Sequence, residues 1–261
     1  MERNALWQRA ARKRDSHMHK FAVAAGNPLL ELRGVHTHIG EYHILQGVDM
    51  CVPQSGLTVL LGRNGAGKST TLRTIMNLWA ASAGTIHFDG ENIEAVQTPG
   101  IARRGIAFVP EDMGIFSDLS VQDNLRLASI SGRLNQARLD WIFQLFPALK
   151  RFWLRPGGTL SGGQKQMVAI ARAIIEPRKL LLIDEPTKGL APSIVDNLAE
   201  ALIELKTHDT TILLVEQNFN FVRSIGDHVA VMDDGRIIHS GSMATLSADE
   251  TLQETLLGLQ A

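Results

Sequence analysis

A nearly apolar strand, a glycine-rich loop and a helix follow one another from Leu57 onward, and this succession constrains the fold more than any other stretch. The strand pattern Leu57–Leu61 is apolar apart from Thr58, which is typical of a strand buried on both faces. The loop Gly62–Ser69 matches the pattern G-x-x-x-x-G-K-[ST], and a helical pattern continues to Leu78. Because a sheet with such strands must be covered by helices on both faces, we predict an α/β fold.

The loop Gly62–Ser69 has the composition that a phosphate-binding loop needs. Its glycines allow successive backbone N–H groups to curl around phosphate oxygens. The Lys68 ammonium can reach the β- and γ-phosphates, and the Ser69 hydroxyl can ligate Mg²⁺. The residues predicted to bind the nucleotide here are Gly62, Arg63, Asn64, Gly65, Ala66, Gly67, Lys68, Ser69 and Thr70.

A second candidate anion site lies at Leu160–Gln164, which reads Leu-Ser-Gly-Gly-Gln. A helical pattern follows it and is stopped by Pro177. We predict that the start of this helix offers bare backbone N–H groups and the positive end of the helix dipole, with no side chain in the way. Such a helix start attracts anions. Two phosphate-binding helix starts in one chain therefore need an explanation.

Two carboxylates end the apolar strand pattern Leu180–Ile183. Because successive side chains of a strand point to opposite faces, Asp184 and Glu185 can have different roles. We assign Asp184 to Mg²⁺, through its water shell, and Glu185 to orienting and polarising an attacking water. A strand that ends in Asp-Glu is common, and the assignment gains its weight from the two phosphate-binding elements that precede it.

The remaining chain alternates between strand and helix patterns, which predicts a parallel sheet. The stretch Ser120–Lys150 is too long and helical for a simple crossover, and we interpret it as an inserted helical subdomain. A hairpin is predicted at Val229–Ile238, turning at Asp233–Gly235, and an amphipathic helix at about Met243–Leu259. Further predicted strands are Leu29–Val35, Ile44–Val52, Thr85–Phe88, Gly105–Val109 and Thr211–Val215, and a further predicted helix is Pro192–Leu205.

Charge and cysteine content limit the classes of partner and compartment. A formal net charge of −1 gives no overall basic field, which argues against a nucleic-acid partner. Cys51 is the only cysteine, so an internal disulfide is impossible and a packed thiol in a reducing compartment is expected. No apolar run approaches the ~20 residues that span a bilayer. Residues 1–28 are basic, and we interpret them as a mobile tail that is either a solvated extension or a contact for anionic lipid or a partner.

The chain resembles the ATP-binding subunit of an ATP-binding-cassette (ABC) transporter over about residues 29–259. The resemblance rests on Leu160–Gln164 together with the loop Gly62–Ser69 and the carboxylates Asp184 and Glu185. The resemblance implies a nucleotide-binding domain at residues 29–261. Its P-loop NTPase core has a mainly parallel sheet, an antiparallel β subdomain and an inserted helical subdomain at about residues 112–165. ATP and Mg²⁺ are the implied cofactors.

The resemblance also explains the second anion site by a head-to-tail dimer. In the family, this segment of one subunit caps the γ-phosphate that is held by the phosphate loop of the other subunit. The two anion sites of the chain are then halves of two composite sites. The capping residues implied here are Ser161, Gly162, Gly163 and Gln164.

Three positions depart from the family pattern. Glu111 stands where the family usually has a glutamine that reaches Mg²⁺ and couples to the membrane partner. Gln217 stands where most members have a histidine at the γ-phosphate, and its amide can donate that bond but cannot take a proton. Near Ile39 the family usually has an aromatic ring that stacks on adenine. His38 or Tyr42 is the candidate substitute, and packing at the strand edge is the alternative role for Tyr42. The resemblance thus implies catalytic roles for Glu185, Gln217 and Lys68, and metal binding by Ser69, Asp184 and Glu111.

Within the family, the runs 109–112, 185–192 and 215–218 are most similar to ATPase subunits of importers for branched-chain amino acids and related amide or urea compounds. The implied partners are a second ATPase subunit (a copy or a paralogue), transmembrane permease subunits and, indirectly, a solute-binding protein. The implied location is peripheral, at the cytoplasmic face of the inner or plasma membrane. The alternatives are a non-transport ABC ATPase acting on nucleic acid or ribosomes, and a P-loop kinase, which leaves Leu160–Gln164 without a role.

Overall fold

A computed structural model of the chain describes residues 28–258, which form two compact units. Of these residues, the first unit contains 28–54, Leu60–Val96 and 227–258; the second contains Ser55–Val59 and Gln97–Gly226. None of the helices in residues 28–258 is long and apolar enough to cross a membrane. The predicted tail at residues 1–28 lies, except for its last residue, outside the described part of the chain.

The elements follow in chain order as β1 (Leu30–Ile39), β2 (Tyr42–Val52), β3 (Leu57–Gly62), α1 (Lys68–Ile75), β4 (Ala83–Phe88), β5 (Glu91–Asn92), α2 (Thr98–Arg103), β6 (Ile106–Val109), α3 (Val121–Ala128), α4 (Gln136–Leu145), α5 (Leu149–Phe152), α6 (Gly162–Ile174), β7 (Leu180–Asp184), α7 (Pro192–Thr207), β8 (Thr211–Glu216), α8 (Phe219–Ile225), β9 (His228–Asp233), β10 (Arg236–Ser242), α9 (Met243–Ala248) and α10 (Glu250–Leu257).

The first unit contains an antiparallel sheet in the order β2-β1-β4-β5. Strand β1 pairs with β2 along its whole length, from Leu30 opposite Val52 to Ile39 opposite Tyr42. The antiparallel hairpin β9–β10 belongs to the same unit and turns through Asp234 and Gly235, which both have positive φ (42° and 72°) as a type I′ turn requires. The predicted hairpin and the antiparallel β subdomain are therefore confirmed.

The second unit is built on parallel strands, in which β7 pairs with β6 on one side and β8 on the other. Every residue of β7 and β8 is buried, which is expected for central strands covered on both faces. The carboxyl ends of β7 and β8 lie side by side, with Asp184 opposite Val215. Residues that directly follow these two strands are thus brought close together. The predicted α/β class is confirmed.

Two helical predictions differ from the structure. Helix α1 ends at Ile75 rather than Leu78, because Asn77 adopts a left-handed conformation (φ 51°) and Leu78 is exposed. The C-terminal pattern is split at Asp249, whose carboxylate accepts the Leu252 N–H and caps α10. The helical pattern Ser120–Lys150 contains α3, α4 and the start of α5. Elements absent from the prediction are β5, α2 and α8.

Candidate functional site

The phosphate loop (Gly62–Ser69) adopts a backbone that only glycine allows at two of its positions. A Cβ on Gly62 would lie 2.3 Å from the Met232 carbonyl oxygen, a contact that no side chain tolerates. Gly67 has φ 106°, and a Cβ there would meet the Leu45 side chain at 3.0 Å. The loop is therefore packed closely against strands of the first unit.

Lys68 is the buried charge of the phosphate loop. Its side chain is 4% exposed, and its Nζ donates to the carbonyl oxygens of Gly62 (2.9 Å) and Arg63 (3.1 Å). These bonds hold the ammonium under the loop, where a phosphate oxygen is a stronger acceptor than a carbonyl. The predicted contact of Lys68 with the β- and γ-phosphates stays a prediction.

The start of α1 is left uncapped by side chains. Its N-cap residue is Gly67, which has no side chain to cap the first turn. Arg63, Asn64 and Gly65 are exposed, whereas Ser69 and Thr70 are half-buried at the helix start. Backbone N–H groups at such a helix start, together with the helix dipole, attract anions. Phosphate binding by this helix start stays a prediction.

The segment Leu160–Gln164 starts α6 in a different way. Ser161 is the N-cap, its Oγ accepts the Gln164 N–H (3.4 Å), and the Gln164 Oε1 accepts the Ser161 N–H (2.9 Å). This is a complete capping box. The prediction that this helix start offers only bare N–H groups is therefore wrong in part, since the chain's own side chains satisfy two of its donors.

The two glycines of this segment have different surroundings. A Cβ on Gly163 would lie 2.7 Å from Cγ2 of Ile194 on α7, so this glycine permits close packing of two helices. A Cβ on Gly162 would meet only the Leu190 side chain, at 3.8 Å, which is an ordinary contact. Ser161 and Gly162 are also exposed. Packing within the chain therefore explains Gly163, and it does not explain Gly162.

Two carboxylates follow one another at the end of β7 in distinct environments. Asp184 is 1% exposed, and Glu185 is half-buried with a left-handed backbone (φ 44°). A glutamate in that conformation carries a local strain of about 1–3 kcal/mol, which is common at functional sites. Gln217, after β8, donates through its Nε2 to Oε1 of Glu185 at 2.6 Å. The structure thus brings two of the predicted catalytic residues into contact.

Glu216, which the sequence analysis did not single out, anchors the loops after β7 and β8 to each other. Its side chain is buried, and one carboxylate oxygen accepts the N–H (3.0 Å) and the hydroxyl (2.7 Å) of Thr187. The other oxygen accepts the N–H groups of Gln217 (3.0 Å) and Asn218 (3.3 Å). These bonds hold Gln217 beside Glu185. The signal in the sequence was a carboxylate that ends an otherwise apolar strand, as in β7.

Glu111, in the loop after β6, forms an ion pair that the sequence analysis also missed. Its Oε1 lies 2.5 Å from Nζ of Lys188, in the loop after β7. The Glu111 carboxylate raises the pKa of Lys188 above its usual value, and the Glu185 and Asp184 charges act in the same direction. The second unit therefore places a cation among the carboxylates that were predicted to serve metal and water.

The residues predicted for Mg²⁺, namely Ser69, Asp184 and Glu111, fit that ion by their chemistry. All three offer hard oxygen ligands, which Mg²⁺ prefers. Within residues 28–258, no group of three or more His, Cys, Asp or Glu side chains is arranged to hold a metal by itself. Mg²⁺ at nucleotide sites is typically bound by one or two carboxylates together with water and phosphates, so it needs no such protein cage.

The two candidates for an adenine-stacking ring differ in availability. The His38 ring is stacked on His43 at 4.2 Å, and its Nδ1 is bonded to the Ser82 hydroxyl at 3.0 Å. Tyr42 is 76% exposed at the start of β2, opposite Ile39. An exposed ring needs no other contact to be broken before it accepts a base, so this geometry favours Tyr42 over His38.

The sequence model of the family "ABC transporter" matches residues 45–188. The branched-chain amino-acid transport ATP-binding protein BraG of Pseudomonas aeruginosa is 36% identical over 88% of this chain and all of its own length. The probable LivF protein of Archaeoglobus fulgidus is 33% identical, over 87% and 99%. The glutamate transport ATP-binding protein GluA of Corynebacterium glutamicum is 32% identical, over 80% and 89%.

Solved structures show the same fold. A nucleotide-free ATP-binding cassette from an ABC transporter superposes with a TM-score of 0.76 and 25% sequence identity, covering 90% of this chain and all of the other. The ADP conformation of such a cassette gives 0.75 at the same identity and coverage. The predicted P-loop core of the ATP-binding-cassette type is confirmed by these matches.

Proposed function

The chain belongs to the ABC transporter family and is one of its ATPases, and on that premise we propose that it powers an importer for branched-chain amino acids or related amide or urea compounds. The observation that carries the proposal is the similarity to BraG, which extends over the whole length of that protein. The match to GluA shows that relatives with another substrate are nearly as similar. The choice of transported molecule is therefore assigned to separate permease and solute-binding subunits.

Within the chain, the roles follow from placement and chemistry. The phosphate loop and the uncapped start of α1 bind the ATP phosphates, and Lys68 exchanges its carbonyl partners for phosphate oxygens. Ser69 and Glu111 would offer oxygen ligands to Mg²⁺, and Asp184 would hold the ion through its water shell; the bound ion would neutralise charge on the phosphates. Glu185 accepts a proton from the attacking water, and Gln217 holds the Glu185 carboxylate in position.

The partner of the phosphate loop is Leu160–Gln164 of a second ATPase subunit, either a copy or a paralogue. The exposed Ser161 and Gly162 support this assignment, because no packing within the second unit explains the glycine at 162. Closing of two subunits on ATP and reopening after hydrolysis then drives separate transmembrane permease subunits. The chain acts peripherally, at the cytoplasmic face of the membrane.

The replacement Glu185→Gln tests the catalytic assignment. We expect ATP binding to persist while turnover falls about 100- to 10,000-fold, because an amide accepts no proton from water. A nucleotide-bound dimer should accumulate in size-exclusion chromatography with ATP. Turnover within a few-fold of the unsubstituted chain, measured by phosphate release, would contradict the role of Glu185.

Affinity purification from the native membrane tests the importer assignment. We expect the tagged chain to recover hydrophobic permease subunits, and the ATPase rate of that complex to rise several-fold when a liganded solute-binding protein is added. The tagged Lys68→Ala variant, purified in the same way, is the control that shows how much permease is recovered without nucleotide binding. Recovery of ribosomes, or stimulation by nucleic acid instead, would favour a non-transport ATPase.

A further inference from the structure

Lys188 is a cation whose position is not explained by the proposed role of the phosphate loop or by that of the segment Leu160–Gln164. It lies in the loop after β7, three residues beyond Glu185, and its side chain is 65% exposed. Long, exposed lysine side chains usually extend into water, because holding them in one geometry costs side-chain entropy. This one instead reaches a carboxylate in another loop, and that contact needs an explanation.

The contact joins the loops after two neighbouring strands. Nζ of Lys188 lies 2.5 Å from Oε1 of Glu111, whose side chain is 39% exposed. Strands β6 and β7 are parallel neighbours, so their carboxyl ends, and the loops that follow them, are adjacent. The ion pair therefore fixes Glu111 relative to the loop that carries Glu185. It is local to the second unit.

The charges around the pair indicate what it does. Glu111, Asp184 and Glu185 are three carboxylates, and the charges of all three raise the pKa of Lys188, with Glu111 contributing most. The Lys188 ammonium, 2.5 Å from the Glu111 carboxylate, thus offsets part of the local negative charge. A divalent cation that binds these carboxylates must therefore compete with the Lys188 ammonium, which is already paired with Glu111.

We propose that Lys188 is a positioning residue that binds Glu111 as a built-in counter-cation and yields that carboxylate when Mg²⁺ binds with nucleotide. The inference rests on the proposed function, in which Glu111 and Asp184 serve the metal. Lys188 then lowers the affinity for the metal, because the incoming ion must compete with the ammonium. It also keeps Glu111 in place when no metal is bound.

A double-mutant cycle on metal affinity tests the proposal. Mn²⁺, which replaces Mg²⁺ and is counted by electron paramagnetic resonance, is titrated into the chain with saturating ADP. We expect Lys188→Gln to tighten Mn²⁺ binding about two- to fivefold, the range that an exposed ion pair supports. In the background of Glu111→Gln, the same replacement should have no effect. Lys188→Arg, which keeps the charge and the hydrogen bond, should bind Mn²⁺ as the unsubstituted chain does.

Two controls separate this local effect from general electrostatics. Lys150→Gln removes the same charge from α5 of the same unit, where Nζ lies 5.3 Å from the Phe143 ring, and should leave Mn²⁺ affinity unchanged. The effect of Lys188→Gln should also shrink in about 0.5 M salt, because the screening length falls well below 10 Å. Thermal unfolding of each variant checks that the fold is intact.

The possible outcomes are distinct. Unchanged or weaker Mn²⁺ binding by Lys188→Gln overturns the proposal, and so does an equal tightening with and without Glu111, since Lys188 then acts on something other than that carboxylate. If the unsubstituted chain binds ADP but no Mn²⁺, the metal assignment of the proposed function fails, and this inference fails with it. If the chain binds no nucleotide at all, the proposed function itself is wrong.

Discussion

The phosphate loop (Gly62–Ser69) and the segment Leu160–Gln164 are both glycine-rich helix starts, yet their first turns are capped differently. The first has a glycine N-cap with no side-chain cap and a buried lysine bonded to its carbonyls. The second has a complete capping box. A helix start that lacks an internal cap depends on a ligand or water for its N–H groups, whereas one that caps itself is complete before any partner arrives. This difference supports our proposal that the first region binds nucleotide on its own and that the second acts as a preformed surface for a partner subunit.

The most direct test of this comparison is to replace one residue in each region separately. Gly162→Asp should leave ATP binding within about twofold and reduce turnover about 100-fold, because a carboxylate then faces the partner's phosphates. Lys68→Ala should weaken ATP binding about 30-fold or more, since a buried charge that pairs with phosphate is lost. Isothermal titration and phosphate release measure the two effects.

The contrast fails if both variants lose binding to the same extent. It also fails if Gly162→Asp retains normal turnover, because the segment then has no role in hydrolysis. Circular dichroism is the control for both, since Lys68→Ala leaves the Gly62 and Arg63 carbonyl oxygens without their lysine donor.

Mixing the two variants tests whether the regions work across subunits. A mixed dimer contains one intact phosphate loop facing one intact Leu160–Gln164 segment, so one of its two sites is complete. With random pairing we expect about one quarter of the normal turnover, although each variant alone is inactive. Turnover that stays at background in a dimer shown to mix, for example by differently tagged copies, would count against a composite site.

The smallest expected effect separates the two glycines of the second region. Gly163→Ala should lower the free energy of unfolding by about 1–3 kcal/mol, because its Cβ would be forced against Ile194 of α7. Gly162→Ala is the matched control: its Cβ has room at 3.8 Å from Leu190, and alanine favours a helix over glycine by about 0.5–1 kcal/mol. Urea denaturation with and without ATP measures both. Equal destabilisation by the two replacements would show that the packing difference is unimportant.

Most of the strands and the phosphate loop could be predicted because their signals are local. An apolar run such as Leu180–Ile183 identifies a buried strand by itself, and the spacing from Gly62 to Ser69 identifies a phosphate-binding turn by itself. The ends of helices were harder to predict from the sequence. The end of α1 depends on the left-handed Asn77, and the break before α10 depends on the cap that Asp249 forms, and neither feature alters hydrophobic periodicity.

The sequence by itself determined the family, the phosphate loop and the two carboxylates at the end of β7. Only the tertiary structure decided four contacts within the second unit: Lys188 with Glu111, Glu216 with Thr187, Gln217 with Glu185, and Gly163 against Ile194. These contacts join residues from loops and helices that are far apart in the chain, so no spacing in the sequence encodes them. The segment Leu160–Gln164 illustrates both contributions. Its sequence identified the family, whereas the structure showed that its helix is capped by its own side chains. The structure also showed that packing explains Gly163 but does not explain Gly162.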